Sequence, residues 1–195
     1  ASRLQARMGI LHCWYALKDT NNVAISAHEL TIDPKANQEQ KDEAALLLSR
    51  SYYYAGNLPK AYEAYAPLMN SSNGEYMGEA AYRRGSILFA QNKLDQAEAL
   101  IEDVVNNPGS DYWLAKTFIL WADIFHQRGN DAQARQTLQS IIDNYEVQND
   151  ADEEVVSDAR QHLQSIDANQ KTENGERKTE NDGPTIQLEP DEEQQ

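Results

Sequence analysis

The chain repeats itself, and the length of the repeat narrows the fold more than any other feature. SRSYYYAGNLPKAYEAYAPLM from Ser49, GSILFAQNKLDQAEALIEDVV from Gly85 and ADIFHQRGNDAQARQTLQSII from Ala122 align throughout. Each carries a small residue, an aromatic or aliphatic one three positions later, a tight Gly-Asn or Asn-Lys turn, and an alanine that opens a second apolar segment. Those alanines, Ala61, Ala97 and Ala134, lie 36 and 37 residues apart, and a weaker copy places Ala24 another 37 upstream. A unit of that size is too small to enclose a core of its own. It buries its apolar face by stacking on the next unit, which is the logic of a solenoid.

Composition agrees with helices as the building block. Ala and Leu are plentiful, runs of Val, Ile and Thr are short, and Gly-rich turns between alternating segments are missing. The apolar spacing predicts helices over 2–18, 22–32, 37–55, 58–70, 75–91, 94–106, 111–128, 131–145 and 150–166. Gly56-Asn57 and Gly129-Asn130 suit left-handed helix ends, Asp95, Asp111 and Asp131 suit helix beginnings, and Pro59 fits a first turn. Ser49, Gly85 and Ala122 stand where two helices approach closely. Tyr52, Leu88 and Phe125, with Tyr65, Ile101 and Leu138, fill the space beside them.

This pattern resembles the tetratricopeptide repeat, in which a bulky residue, Leu-Gly and an aromatic mark the first helix and Ala, an aromatic and Ala the second. The resemblance implies an all-α fold, a right-handed alpha-alpha superhelix of about four helix pairs over residues 1–166. The helix at 150–166 caps it, with Val155, Ala159, Leu163 and Ile166 on one stripe. GILHCWYALKDTNNVAISAHELTIDPKANQEQKDEA, GEAAYRRGSILFAQNKLDQAEALIEDVVN and above all the segment beginning DYWLAKTF are similar to the C-terminal repeats of long tetratricopeptide proteins of Bacteroidetes. A second similarity, in the Gly-Asn-x-x-x-Ala turn, is to periplasmic repeat proteins of the Tol-Pal system and outer-membrane assembly. Both imply a periplasmic or outer-membrane-associated location, with a cytoplasmic one as the alternative.

The same resemblance puts the first helix of each pair on a concave face and so implies a partner-binding groove. Its candidate residues are Arg50, Tyr53 and Tyr54, then Glu79, Tyr82, Ser86 and Phe89, then Lys116, Ile119, Asp123, His126 and Gln127. Aromatic anchors with a few charges suit peptide recognition, although each of these positions serves either the groove or helix packing. Chaperone-tail binding is disfavoured, because Leu46, Tyr82 and Ile119 occupy the positions at which a carboxylate clamp carries lysine.

The two ends differ. In the first helix Leu4, Met8, Ile10, Leu11, Trp14, Tyr15 and Leu17 spread around more of the circumference than one neighbouring pair covers. That leads us to expect further repeats before Ala1, a homo-oligomer formed through this helix, or simply a loosely covered terminal helix. Residues 167–195 form an acidic, polar tail with Lys171-Thr-Glu-Asn174 repeated at Lys178-Thr-Glu-Asn181. It is expected to be disordered or docked in extended form, with Ile186 and Leu188 as either a short docking motif or incidental apolar residues.

Several function classes are disfavoured. The net charge of −15 opposes binding to nucleic acid or to anionic membranes. No apolar run is long enough to span a bilayer. Cys13 is the only cysteine, expected to be buried. The histidines, His12, His28, His126 and His162, fall on separate helices outside any metal-binding motif, and no phosphate loop or nucleophile elbow occurs. Glu153 and Glu154 are explained by the helix N-terminus they complement, and Asn70-Ser-Ser has the form of a glycosylation sequon. The expectation is therefore a scaffold that binds proteins or peptides, with no catalytic residues, metal or cofactor. The alternative is an oligomerisation module that uses the first helix.

Overall fold

The computed structural model describes residues 3–106 and 108–181, with side chains as far as residue 168. Among these the chain forms nine α-helices and no strand: α1 (Arg3–Ala16), α2 (Thr20–Thr31), α3 (Gln38–Tyr54), α4 (Leu58–Tyr65), α5 (Gly74–Ala90), α6 (Leu94–Asn106), α7 (Asp111–Gln127), α8 (Asp131–Asn144) and α9 (Asp150–Asn181). Helices pair as α1 with α2, α3 with α4, α5 with α6 and α7 with α8. Each odd-numbered helix also packs on the next odd-numbered one, and α9 closes the stack against α7 and α8.

All four pairs turn in the same way. Lys18, Gly56, Asn92 and Gly129 have φ of 57°, 74°, 57° and 76°. The next residue's N–H reaches back to the carbonyl of Trp14, Tyr52, Leu88 or Phe125, at 3.1, 2.9, 2.9 and 2.8 Å. This is a Schellman closure, which satisfies the carbonyls left open at a helix end. Asp19, Asn57 and Asn130 then cap the following helix by accepting from the backbone N–H of Asn22, Lys60 and Gln133.

Counting from these left-handed residues corrects the register of the weak first copy. The position five residues on is Val23, Ala61, Ala97 or Ala134, each fully buried. Ala24 is one residue out of frame and only partly buried. The same frame shows why the copy is faint. Where the later repeats combine a small residue on the first helix with a large one on the second (Ser49 with Tyr65, Gly85 with Ile101, Ala122 with Leu138), the first has Leu11 with Ala27. Both lie fully buried in one cluster with Met8, Val23, Leu30, Ala44 and Leu47. The large and the small side chain have changed sides, and both remain fully buried.

Three further expectations are revised. The helix expected over 58–70 stops at Tyr65 and continues as a 3-10 turn at Ala66–Asn70, because Pro67 lacks an N–H and its ring collides with an α-helical carbonyl four residues back. Cys13 is exposed rather than buried, since it lies on the side of α1 away from α2 and α3. The helix expected over 150–166 runs further, the backbone of α9 continuing to Asn181. A helix already nucleated by packing propagates residue by residue, favoured here by Gln170, Lys171, Glu173, Glu176, Arg177 and Lys178 and opposed by Asn174 and Gly175. The expectations for Ile186 and Leu188 fall outside the described residues. The capping stripe is in place, with Val155, Ala159 and Ile166 buried against α7 and α8 and Leu163 packed beside them.

Candidate partner-binding surface

The odd-numbered helices lie side by side, and the residues that join them form a diagonal band from α1 to α9. At its centre, Arg50 on α3 grips Glu79 on α5. The guanidinium Nε donates to Oε1 at 2.8 Å and Nη2 donates to Oε2. Tyr65 on α4 donates its hydroxyl to the same Oε1 at 3.1 Å. Glu79 is only 2% exposed, so its charge is tolerated because a bidentate cation and a phenol satisfy it. Burial, and then the Glu79 charge, push the Tyr65 hydroxyl well above the ordinary phenol range, so it stays a donor. The Glu79 hydrogen bond likewise raises Arg50.

Beside this clasp the band becomes aromatic. Tyr53 and Tyr54 meet edge to face at 5.8 Å, Tyr82 lies against Trp113 at 5.6 Å, and Tyr112 meets Trp113 edge-on at 4.9 Å. The Arg83 guanidinium sits among them, its carbon 4.5 Å from the Tyr53 ring centroid, 5.5 Å from Tyr82, 5.8 Å from Trp113 and 5.9 Å from Tyr54. A small residue makes room for this arrangement. A Cβ on Gly78 would sit 2.7 Å from the Trp113 Cβ, so any side chain there would drive the indole off α5.

Towards α9 the band is ionic. Lys116 donates to Asp158 at 2.6 Å, and His162 Nδ1 lies 2.6 Å from the Asp123 carboxylate. That hydrogen bond raises the His162 pKa, against the lowering effect of burial. At the α7 turn His126 pairs with Asp131 at 2.6 Å, and Gln127 donates to Asn92 of the preceding turn at 2.9 Å.

The twelve candidate positions therefore divide. Glu79 and Ile119 are buried, and Arg50, Lys116, Asp123, His126 and Gln127 are engaged with neighbouring helices or turns. Ser86 donates to the carbonyl of Tyr82 in its own helix at 2.9 Å, and Phe89 packs against the cluster around Leu88 and Ile101. Tyr53, Tyr54 and Tyr82 converge on one patch, and Tyr54 is 67% exposed.

Arg83, Tyr112 and Trp113 complete that patch, and the reading by repeats missed all three. The repeat frame compares positions 36 or 37 residues apart, but several polar side chains on adjacent odd helices meet at separations of 29 to 31, as Arg50 with Glu79, Tyr54 with Arg83 and His12 with Glu43 do. The doublets Tyr53-Tyr54, Tyr82-Arg83 and Tyr112-Trp113 follow that shorter spacing. It is the signal that would have found them.

Among the described residues no three His, Cys, Asp or Glu side chains are grouped to hold a metal ion, and no helix is long and apolar enough to cross a membrane. Residues 112–146, which span most of α7 and all of α8, match the family model described as tetratricopeptide repeat. No curated protein matches the chain. One matched repeat within a stack of like-turned helix pairs supports a tetratricopeptide-like solenoid. Such repeats generally mediate protein–protein interaction and are typically not enzymes.

Proposed function

We propose that this protein is an interaction scaffold which holds a polypeptide partner against the band of odd-numbered helices, centred on Tyr53, Tyr54, Tyr82 and Trp113. The observation that carries this reading is the Tyr54 ring, left largely in solvent beside three other aromatic side chains and an arginine. Exposed aromatics of that kind supply contact area at low entropic cost and dominate binding energy when a partner covers them. The remaining candidate positions hold the band in shape. We place the scaffold in a cell-envelope assembly on the strength of the sequence resemblance.

Photo-crosslinking tests the surface. A photoreactive phenylalanine analogue at position 54 is expected to label one polypeptide in the native cell, whereas the same group at Gln136, exposed on α8, is not. Tyr53→Ala with Tyr54→Ala should abolish co-purification of that polypeptide while leaving helical content unchanged. Equal labelling from both positions would sink the reading.

A second reading is favoured by a specific observation at α1. Residues at two frame positions are buried in every later repeat: Ala44, Ala80 and Thr117 at one, Ser51, Ile87 and Ile124 at the other. Their equivalents in α1, Ala6 and Cys13, are exposed, alongside Ile10 at 50% and Leu17 at 69%. We propose this stripe as a contact for a second helical unit, compatible with partner binding elsewhere.

A further inference from the structure

Among the described residues, Arg83 forms no ion pair with a carboxylate. Its charge sits in a chain of net charge −15, yet the nearby acids are already taken: Glu79 by Arg50 and Tyr65, Asp158 by Lys116, and Asp123 by His162. Its Nη2 donates to the Tyr54 hydroxyl at 3.5 Å, which is long, and its Nε is buried without a hydrogen-bond partner. A guanidinium has five N–H donors in a planar fork suited to a carboxylate. Four rings stand around the Arg83 guanidinium, and beyond their π-faces the acceptors they offer are neutral tyrosine hydroxyls rather than carboxylates.

Such a group binds an anion more strongly than an exposed arginine does. The rings have already displaced part of its water, so the cost of desolvation is met in the free protein, and the fork is held rather than searching. In a chain of net charge −15 acidic residues outnumber basic ones, so most of the surface disfavours an acidic partner. We infer that Arg83 is the specificity-determining contact of the aromatic patch, accepting a carboxylate from the polypeptide partner while Tyr54 and Trp113 cover the adjoining apolar part of that chain. The inference rests on the reading of this patch as the partner-binding surface. The carboxylate comes from an Asp or Glu side chain or from a chain terminus, and the chemistry at Arg83 is the same for both.

The test uses the full chain and randomised octapeptide pools of four kinds, each flanked by apolar residues: one enriched in Asp and Glu, one in Lys and Arg, one neutral with a free C-terminus and one neutral and amidated. Binding is followed by fluorescence anisotropy, and the Arg83 side-chain Nε–H resonance reports contact. The acidic pool, or the free-ended neutral pool over its amidated counterpart, should bind tightest and shift that resonance. Arg83→Gln should weaken this binding by roughly tenfold or more, as expected for a hydrogen bond to a charged group, with Arg83→Lys between, since Lys keeps the charge without the fork. Loss through amidation alone assigns the terminus; loss through removal of Asp and Glu assigns side chains. If neutral amidated peptides bind as well as acidic ones and Tyr53→Ala with Tyr54→Ala abolishes both, the inference falls and the surface survives. If Arg83→Gln, with native helicity, binds the acidic pool like the parent, the inference also falls. If no pool binds, the patch reading fails and takes the inference with it.

Discussion

Gly129 has a φ of 76°, and a methyl group added there would meet nothing within 4 Å. Any cost of Gly129→Ala therefore comes from backbone conformation alone. An L-residue in the left-handed region loses about 1 to 2 kcal/mol, and chemical denaturation should show a loss near the lower figure. Lys18 is the mirror case, an ordinary residue at φ 57° in the equivalent turn. Lys18→Gly is expected to stabilise the protein by about 0.5 kcal/mol, relief of the strain being partly offset by the entropy that glycine adds to the unfolded chain. If both substitutions change stability in the same direction, the four turns are not energetically equivalent. At this scale the sequence was informative for Gly56 and Gly129, whose identity alone signals φ > 0. Lys18 and Asn92 give weaker signals, and only their place in the repeat reveals them.

The α7–α9 contact is where an element depends on pH. His162 faces Asp123 and Lys116 on α7 and Asp158 on its own helix. Because its pKa is raised in the folded protein, its contribution to holding α9 is full below the ordinary imidazole value of about 6.5. It is lost as pH rises through the higher folded value. An NMR titration should give a His162 midpoint above the ordinary value, and Asp123→Asn should lower it. In thermal melts, the stability difference between parent and Asp123→Asn is expected to shrink as pH rises through that midpoint. A midpoint at or below the ordinary value would show the contact to be absent in solution. Helix α9 was legible as a cap from Val155, Ala159, Leu163 and Ile166. Its ionic attachment was not, because Asp123 and His162 are 39 residues apart and no local pattern links them.

At the scale of the whole molecule, α1 differs from the other odd-numbered helices in the face it leaves exposed. Ala6, Ile10, Cys13 and Leu17 form one exposed stripe, and its frame-equivalents Ala6 and Cys13 are exposed where Ala44 and Ser51 are buried. Apolar side chains in water lose about 25 cal/mol for each Å² that a partner would bury, so a second copy offers a gain at this face. Under that reading the parent chain should scatter light as a dimer at high micromolar concentration, and Ile10→Glu should return it to a monomer without loss of helicity. A parent that stays monomeric would remove self-association and leave the stripe to a different helical unit.

The sequence by itself determined the secondary structure and the stacking. Apolar period and left-handed turns are local and recur in all four pairs, and a side-chain cap opens the second helix in three of them, so each copy checks the others. It did not determine which aromatic and charged side chains meet. Arg50 with Glu79, and the rings around Arg83, come together through the offset between neighbouring odd helices, and that offset depends on close approaches such as Gly78 against Trp113. Side chains equivalent in the repeat are 36 to 38 residues apart, whereas the hydrogen-bonded pairs Arg50 with Glu79 and His12 with Glu43 are 29 and 31 apart. The surface for a partner is therefore a property of helix packing, which no single repeat contains.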